Sequence, residues 1–377
     1  MTDELCSLDV PLVLHVIPSS RARGAQREAR ALADRLDRPG VRAHRVLSLS
    51  EGPDEVRVDA TLPHRGDGAP TVGFDPRLAL TLRAGLRRMD PDVVVAHGSE
   101  PLKYLVPSLV GRRRPLAYYA IGTYSGSDRA AQLALWRLLV RHADVVAAEG
   151  EEVRDECIDR LAVPPSRVVL TPNGRDPEEF RPRPPVDTGP PTALFVGALT
   201  EGKGPDRFIE MVAALRSRGI ALQADMVGDG PLAGGLRGVA EAAGVALLGA
   251  RSDVAEVMGR ADLLVFPSRP AGEGMPGVLI EAGLAGLAVV ATDVPGVRSI
   301  VQDGRTGLVV PVDDPGALAT ATARLLGDAA LRRSMGEAAR RHCRDHFSLD
   351  AVADRWLSLL EPLLASAARR NGNGSAL

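Results

Sequence analysis

Two carboxylates end the stretch EGMPGVLIE: Glu273 and Glu281, with Gly274, Met275, Pro276, Gly277 and Val278 between them. Proline is tolerated at a first helical position, where its missing N–H would have no partner. A helix opening at Pro276 then puts Glu281 in its second turn. Val278, Leu279, Ile280 and Ala282 make that setting apolar, and an ionised carboxylate there is costly unless hydrogen-bonded. A ribose diol would satisfy it, because both carboxylate oxygens accept and both hydroxyls donate. The N–H groups of Gly277 and Val278, with the helix dipole behind them, suit a phosphate. Glu273, in the loop before the turn, is placed to reach hydroxyls beyond the phosphates. Taken alone, a loop glutamate and a glutamate early in a helix are common features of any chain.

A second motif gives the pair weight. FVGALTEGKGPDRF sets Gly197, Gly202, Lys203 and Gly204 between a strand and a helix. Glycine lets backbone approach an anion, the following helix offers N–H groups, and an ammonium adds a mobile charge. Of the 46 basic residues only Lys103 and Lys203 are lysine, so a lysine in this loop departs from the chain's habit. Gly197 to Lys203 also fits the opening of a nucleotide-triphosphate loop. That motif, however, continues with a Ser or Thr that holds magnesium, and here Gly204 follows.

The elements that must carry these motifs alternate. PLVLHVI, VRAHRVL, DVVVAH, PLAYYAIG, DVVAAE and RVVLTPNG read as strands, with amphipathic helical runs such as AQREARALADRL and PRLALTLRAGLRRM among them. After the proline-rich FRPRPPVDTGPP the rhythm restarts with TALFVG, ALQADMVG, VALLG, DLLVFPS, AVVATDV and GLVVPV, and PGALATATARLLGD opens a closing helical region. Strands alternating with helices imply a parallel sheet covered on both faces. The fold class is therefore α/β with two doubly wound, Rossmann-like domains, expected over residues 1–184 and 185–347. Such sheets bind ligands beyond the carboxyl ends of their strands, which is where both motifs lie.

Composition excludes other classes. Hydrophobic residues make up 45% and charged residues 25%, and the net charge of −2 gives no global field for nucleic acid. No apolar run approaches membrane-spanning length, and MTDELCSLDV lacks a basic stretch leading into an apolar one, so a cytoplasmic protein is expected. Cys6, Cys157 and Cys343 show no metal-ligand spacing.

With these residues in view, the sequence resembles the retaining nucleotide-sugar glycosyltransferases of the GT-B fold, particularly family 4. LHVIPSSRARGAQRE, VVLTPNGRDPEEF, FVGALTEGKG, MVGDGPL, ADLLVFPS, EGMPGVLIEAGLAGLAVVATDVPGVRSIV and DGRTGLVVP match in order across nearly the whole chain. The resemblance implies two domains facing a cleft, the donor held mainly by the second and the acceptor by the first. It also implies that a last helix, about residues 348–366, crosses back to pack on the first domain. It makes Glu273 and Glu281 the family's paired glutamates and gives Lys203 the donor diphosphate. Transfer would proceed with retention and without metal or cofactor: the glycosyl–phosphate bond loosens, and the acceptor hydroxyl attacks from the leaving-group side. Lys203 and the helix start at Pro276 to Val278 would meet the charge growing on the diphosphate, whose oxygen takes the acceptor proton. Acceptors implied are a saccharide, a lipid-linked sugar or a small molecule.

Two positions depart from the family pattern: Ala198 replaces an arginine common after the glycine matching Gly197, and Ile121 stands where many members have a histidine. They motivate an alternative, a non-catalytic nucleotide-sugar-binding partner. A P-loop phosphotransferase is the remaining alternative, opposed by Gly204. Further candidates lie at strand ends: Gly228, Asp229, Asp253 and Val254 on the donor side, and Gly24, His97, Gly122 and Thr123 on the acceptor side. Asp90-Pro91-Asp92 has the D-x-D spacing of a metal-holding motif but reads as a turn before a strand. Arg112, Arg113 and Arg114 form a basic cluster able to meet an anionic membrane weakly, with a solvated turn the plainer reading.

Overall fold

Buried parallel strands need apolar residues on both faces, and the chain supplies them in short β-branched runs: in LVLHVI and VVVAH every residue is buried. The computed structural model describes residues 10–21, 24–52, 56–62, 73–122, 130–182, 189–270 and 274–372. Two sheets form. The first holds β1 Leu12–Ile17, β2 Ala43–Ser48, β3 Ala60–Thr61, β4 Val93–His97, β5 Leu116–Ala120, β6 Val145–Ala148 and β7 Val168–Leu170. The second holds β8 Thr192–Val196, β9 Gln223–Val227, β10 Ala246–Gly249, β11 Leu263–Phe266, β12 Ala288–Thr292 and β13 Gly307–Val310. Their orders are β3-β2-β1-β4-β5-β6-β7 and β10-β9-β8-β11-β12-β13, and every pairing is parallel. Both are the doubly wound order, in which the chain reverses direction across the sheet between β1 and β4 and again between β8 and β11.

The chain divides into two units, Met1–Gly174 with Leu349–Leu377, and Arg175–Ser348. It changes unit at Gly174–Arg175, ahead of the proline-rich stretch, and Phe180 from the start of that stretch is buried in the second unit's core. The Arg175 N–H donates to the Phe347 carbonyl at 2.9 Å. The closing helix Leu349–Gly372 belongs to the first unit, where Val352, Trp356 and Leu360 pack with Val13, Val95 and Tyr119. Among the described residues no helix is long and apolar enough to cross a membrane. Nor do any three His, Cys, Asp or Glu side chains there stand where they could hold a metal ion. Asp90 instead pairs with Arg112 and Arg114, while Asp92 accepts from the Leu12 N–H at 2.9 Å. Arg113 pairs with Asp144 at 3.0 Å, so the basic cluster is charge-matched.

The first sheet contains a row of three histidines. His15 on β1 bonds through one ring nitrogen to His97 on β4 and through the other to His44 on β2, both at 2.9 Å, and Trp356 stacks on His97. Burial holds all three rings far below the ordinary histidine value, His44 and His97 at about 3. Arg42 and Arg45 push His44 further in the same direction. The folded state thus prefers neutral rings, while the unfolded chain takes up protons near pH 6.5. Their contribution is complete above pH 6.5 and is lost as pH falls toward 3, about 2 kcal/mol per ring by pH 5. Urea unfolding at a series of pH values should therefore show stability dropping by several kcal/mol between pH 7.5 and pH 5, before carboxylates titrate. A flat profile over that range would contradict it.

Candidate functional site

The site is built where β8 and β11, neighbours at the switch point of the second sheet, release their chains. After β8 the backbone turns at Gly197, whose N–H donates to the Val227 carbonyl at 3.0 Å. A single 3₁₀ turn, Glu201–Lys203, leads to Gly204 and the helix Pro205–Ser217. Gly204 is left-handed at φ 66°, and a Cβ there would overlap the carbonyl oxygen of Pro267, just past β11. The loop is thereby pressed on the neighbouring strand's exit, and a side chain at position 204 has no room. A magnesium-holding hydroxyl cannot stand there, which removes the structural basis of the P-loop reading.

Arg269 fastens the same loop. Its N–H donates to the Gly202 carbonyl and its guanidinium to the Glu201 carbonyl, each at 2.7 Å, and the guanidinium also grips both oxygens of Asp206. That hydrogen bond holds the Asp206 carboxyl below its ordinary range against the opposing effect of burial. The half-buried Lys203 runs its stem past Gly197, with Cγ 3.9 Å from where a Gly197 Cβ would lie.

The turn after β9 backs the loop. Gly228, at φ 141°, presses on the Gly197 carbonyl so closely that any Cβ would overlap it. The Leu199 N–H donates to the Asp229 carbonyl and the Leu232 N–H to the Leu199 carbonyl, both at 3.0 Å. The exposed Asp229 carboxylate caps the Gly230 N–H at 2.7 Å. One strand further out, Asp253 pairs with Arg251, which lowers its carboxyl, and Val254 opens the short helix Val254–Met258.

After β11 the chain reaches the helix Gly277–Leu284. Pro276 is the residue before that helix rather than its first member; Met275 and Pro276 are buried, and Gly274, Gly277 and Val278 are half-buried. The N–H groups of Gly277 and Val278 lead the helix and have no acceptor within it. The buried Thr292 hydroxyl donates to the Ser268 carbonyl at 2.6 Å and so braces the start of this segment. Glu281 sits in the second turn, and its Oε1 accepts from Nε of Arg175 at 2.8 Å, both side chains about one fifth exposed. Arg175 Nη2 lies so close over Gly277 that a Cβ there would displace it. Glu273 falls outside the described residues.

The first unit gathers less. Gly24 is exposed at the start of the helix Gly24–Leu36, which follows β1. The Gly122 N–H donates to the buried Glu149 at 2.6 Å, and Ile121 packs against the cluster that contains Trp356. Thr123 falls outside the described residues. His97 ends β4 with its ring 3% exposed and bonded to His15, so it lies in the buried histidine row of the sheet.

The sequence matches known families. The Glycosyltransferase Family 4 model matches residues 22–179 and the Glycosyl transferases group 1 model matches residues 190–328. The chain belongs to the group 1, family 4 type of glycosyltransferases. Over 302 residues the chain is 32% identical to an exopolysaccharide phosphotransferase of Streptomyces coelicolor, covering 78% of this chain and 31% of that protein. It is 31% identical over 242 residues to the alpha-D-kanosaminyltransferase of Streptomyces kanamyceticus, covering 59% of this chain and 62% of the relative. The chain thus spans less than two thirds of either relative. HepE of Anabaena in complex with UDP shares the fold with a TM-score of 0.79 at 19% identity, over 93% of this chain and 100% of HepE. Both units of the chain accordingly have the GT-B type of α/β architecture.

Two residues of this candidate site, Arg269 and Arg175, escape the sequence reading. Each finds its partner far along the chain, Asp206 at 63 residues and Glu281 at 106. Among so many arginines neither carries a local mark, although Arg175 directly follows the quoted PNG. The tight seat of Gly204 yields a direct test. Gly204→Ser should lower the unfolding free energy by about 2 kcal/mol or more, from left-handed strain and the clash with Pro267. Denaturant midpoints compare the two proteins, and an unchanged midpoint would mean that the loop does not rest on β11 in this way.

Proposed function

We propose that this chain transfers a glycosyl group, of hexosyl type, from a nucleotide-diphospho-sugar to an acceptor hydroxyl with retention of anomeric configuration. The observation that carries the reading is that the Lys203 loop and the segment leading to the helix start Gly277–Val278 leave the neighbouring strands β8 and β11 at one switch point, the loop resting on Pro267 and Arg269, with Glu281 one turn further in. An anion at the ends of these strands would meet backbone N–H groups, a helix dipole and an ammonium together. Glu281 would take the ribose hydroxyls and Glu273 those of the sugar. HepE, which shares the fold, is described in complexes with UDP, with UDP and glucose, and with UDP-glucose, and this supports the choice of donor class.

On this reading the protein's main electrostatic task is to stabilise charge growing on the departing diphosphate. Donors already in place do so without reorganising during the reaction. Lys203 and the helix start carry that task, so no divalent ion or cofactor is required. The diphosphate oxygen takes the acceptor proton, and no side-chain base is needed where Ile121 stands. The reading places the protein in the cytoplasm, where activated sugars are made, with a saccharide, lipid-linked or small-molecule acceptor.

A non-catalytic binding role is the second reading, favoured by the exposed Ala198 and by Ile121, whose side chain packs inward. Thermal unfolding with UDP-, GDP- and ADP-sugars in the presence of EDTA tests the donor site. A ligand at a hundred times its Kd stabilises by about 2.7 kcal/mol, or roughly 5–10 °C for domains of this size. One donor class should give such a rise, and Lys203→Ala and Glu281→Ala should lose most of it. Variants that respond like the parent would refute the site. Product formation with an acceptor panel then separates the transferase from the binding partner.

A further inference from the structure

The donor site as proposed holds one ammonium, Lys203, while the position after Gly197 carries the exposed Ala198 and no charge. A diphosphate brings more negative charge than one lysine balances. Arg269 and Arg298, near these loops, are committed to carboxylates with no part in the site, Asp206 and Asp293. Arg175 differs, because its carboxylate is Glu281, the group assigned to the ribose.

Its placement is specific. The bridge between Arg175 and Ser348 and the bond to the Phe347 carbonyl fix its backbone at the start of the second unit. Its side chain crosses to the helix Gly277–Leu284, where Nε is held by Glu281 Oε1 and Nη2 lies over Gly277. A guanidinium set on a helix amino end faces the dipole's positive pole, an unfavourable placement for a cation. Glu281 offsets part of that. An anion between the guanidinium edge and the leading N–H groups would be attracted by both. Gly277 is the residue type that leaves room for this approach, since a Cβ would displace the guanidinium.

We propose that Arg175 is the second cation of the donor site and binds the diphosphate alongside the Gly277 and Val278 N–H groups, with Glu281 orienting it. The inference rests on the proposed donor reading and adds a residue to it. Glu281 then serves two partners, Oε1 taking Arg175 and Oε2 the ribose, so sugar and diphosphate recognition are joined through one carboxylate. The planar guanidinium presents paired donors that fit a phosphate, which an ammonium does not.

Calorimetric titration of the parent, Arg175→Gln and Arg175→Lys with UDP, GDP and ADP, and with the matching monophosphates, tests this. For the diphosphate that the parent binds, Arg175→Gln should weaken affinity about 10- to 100-fold and the monophosphate markedly less. Arg175→Lys should fall between, and melting temperatures confirm that each variant is folded. Should Arg175→Gln fail to fold, the loss in Arg175→Lys, greater for the diphosphate than for the monophosphate, decides the matter. Equal loss of both ligands would make Arg175 a support for Glu281 only, and unchanged diphosphate binding would remove it from the site; either overturns the inference while leaving the donor reading intact. A parent that binds none of the three diphosphates would overturn the donor reading and this inference with it.

Discussion

The contact between Gly204 and the Pro267 carbonyl is the constraint from which the second unit's site follows. Because residue 204 has no side chain, the exit of β8 can lie directly on the exit of β11. Arg269 then closes the arrangement with bonds to Gly202, Glu201 and Asp206. The loop that carries Lys203 and the segment leading to Gly277 are thereby held by the same few residues. Gly228 repeats the device one strand away, pressing the β9 turn under Gly197. Backbone packed this closely has few alternative arrangements, as a site that binds with groups already in place requires.

Much of this was readable from residue order. Parallel strands buried on both faces leave continuous apolar runs, so the alternation of DVVVAH, TALFVG or DLLVFPS with amphipathic helices marks the architecture directly. Lys203 stands out because lysine is scarce here, and the proline and glycine before Val278 mark a helix start to within one residue. What was not legible depends on the third dimension. A strand-end histidine carries no sign of which way its ring turns, and His97 turns into a core row with His15 and His44. Arg175 and Arg269 act across long stretches of chain, and the packing that makes Gly204 indispensable involves a carbonyl more than sixty positions away.

The departures from the family pattern have different standing once placed. Ile121 joins the packing around Trp356, and the Gly122 N–H beside it is taken by the buried Glu149, so that loop is anchored by an acid in the core. Ala198 leaves the charge at its own position uncompensated, whereas Arg175 brings a guanidinium to the facing helix start. The first unit thus shows packing at these positions, whereas the second brings Lys203, Arg175 and a helix start to its strand exits.

The central claim is that a nucleotide's diphosphate lies at the switch point between β8 and β11. A crystal structure of the protein with its preferred nucleoside diphosphate tests it most directly. The account predicts phosphate oxygens within hydrogen-bond distance of Lys203 Nζ and of the Gly277 or Val278 N–H, and a ribose on Glu281. A nucleotide bound at the first sheet, or in the second unit away from both strand exits, would contradict it.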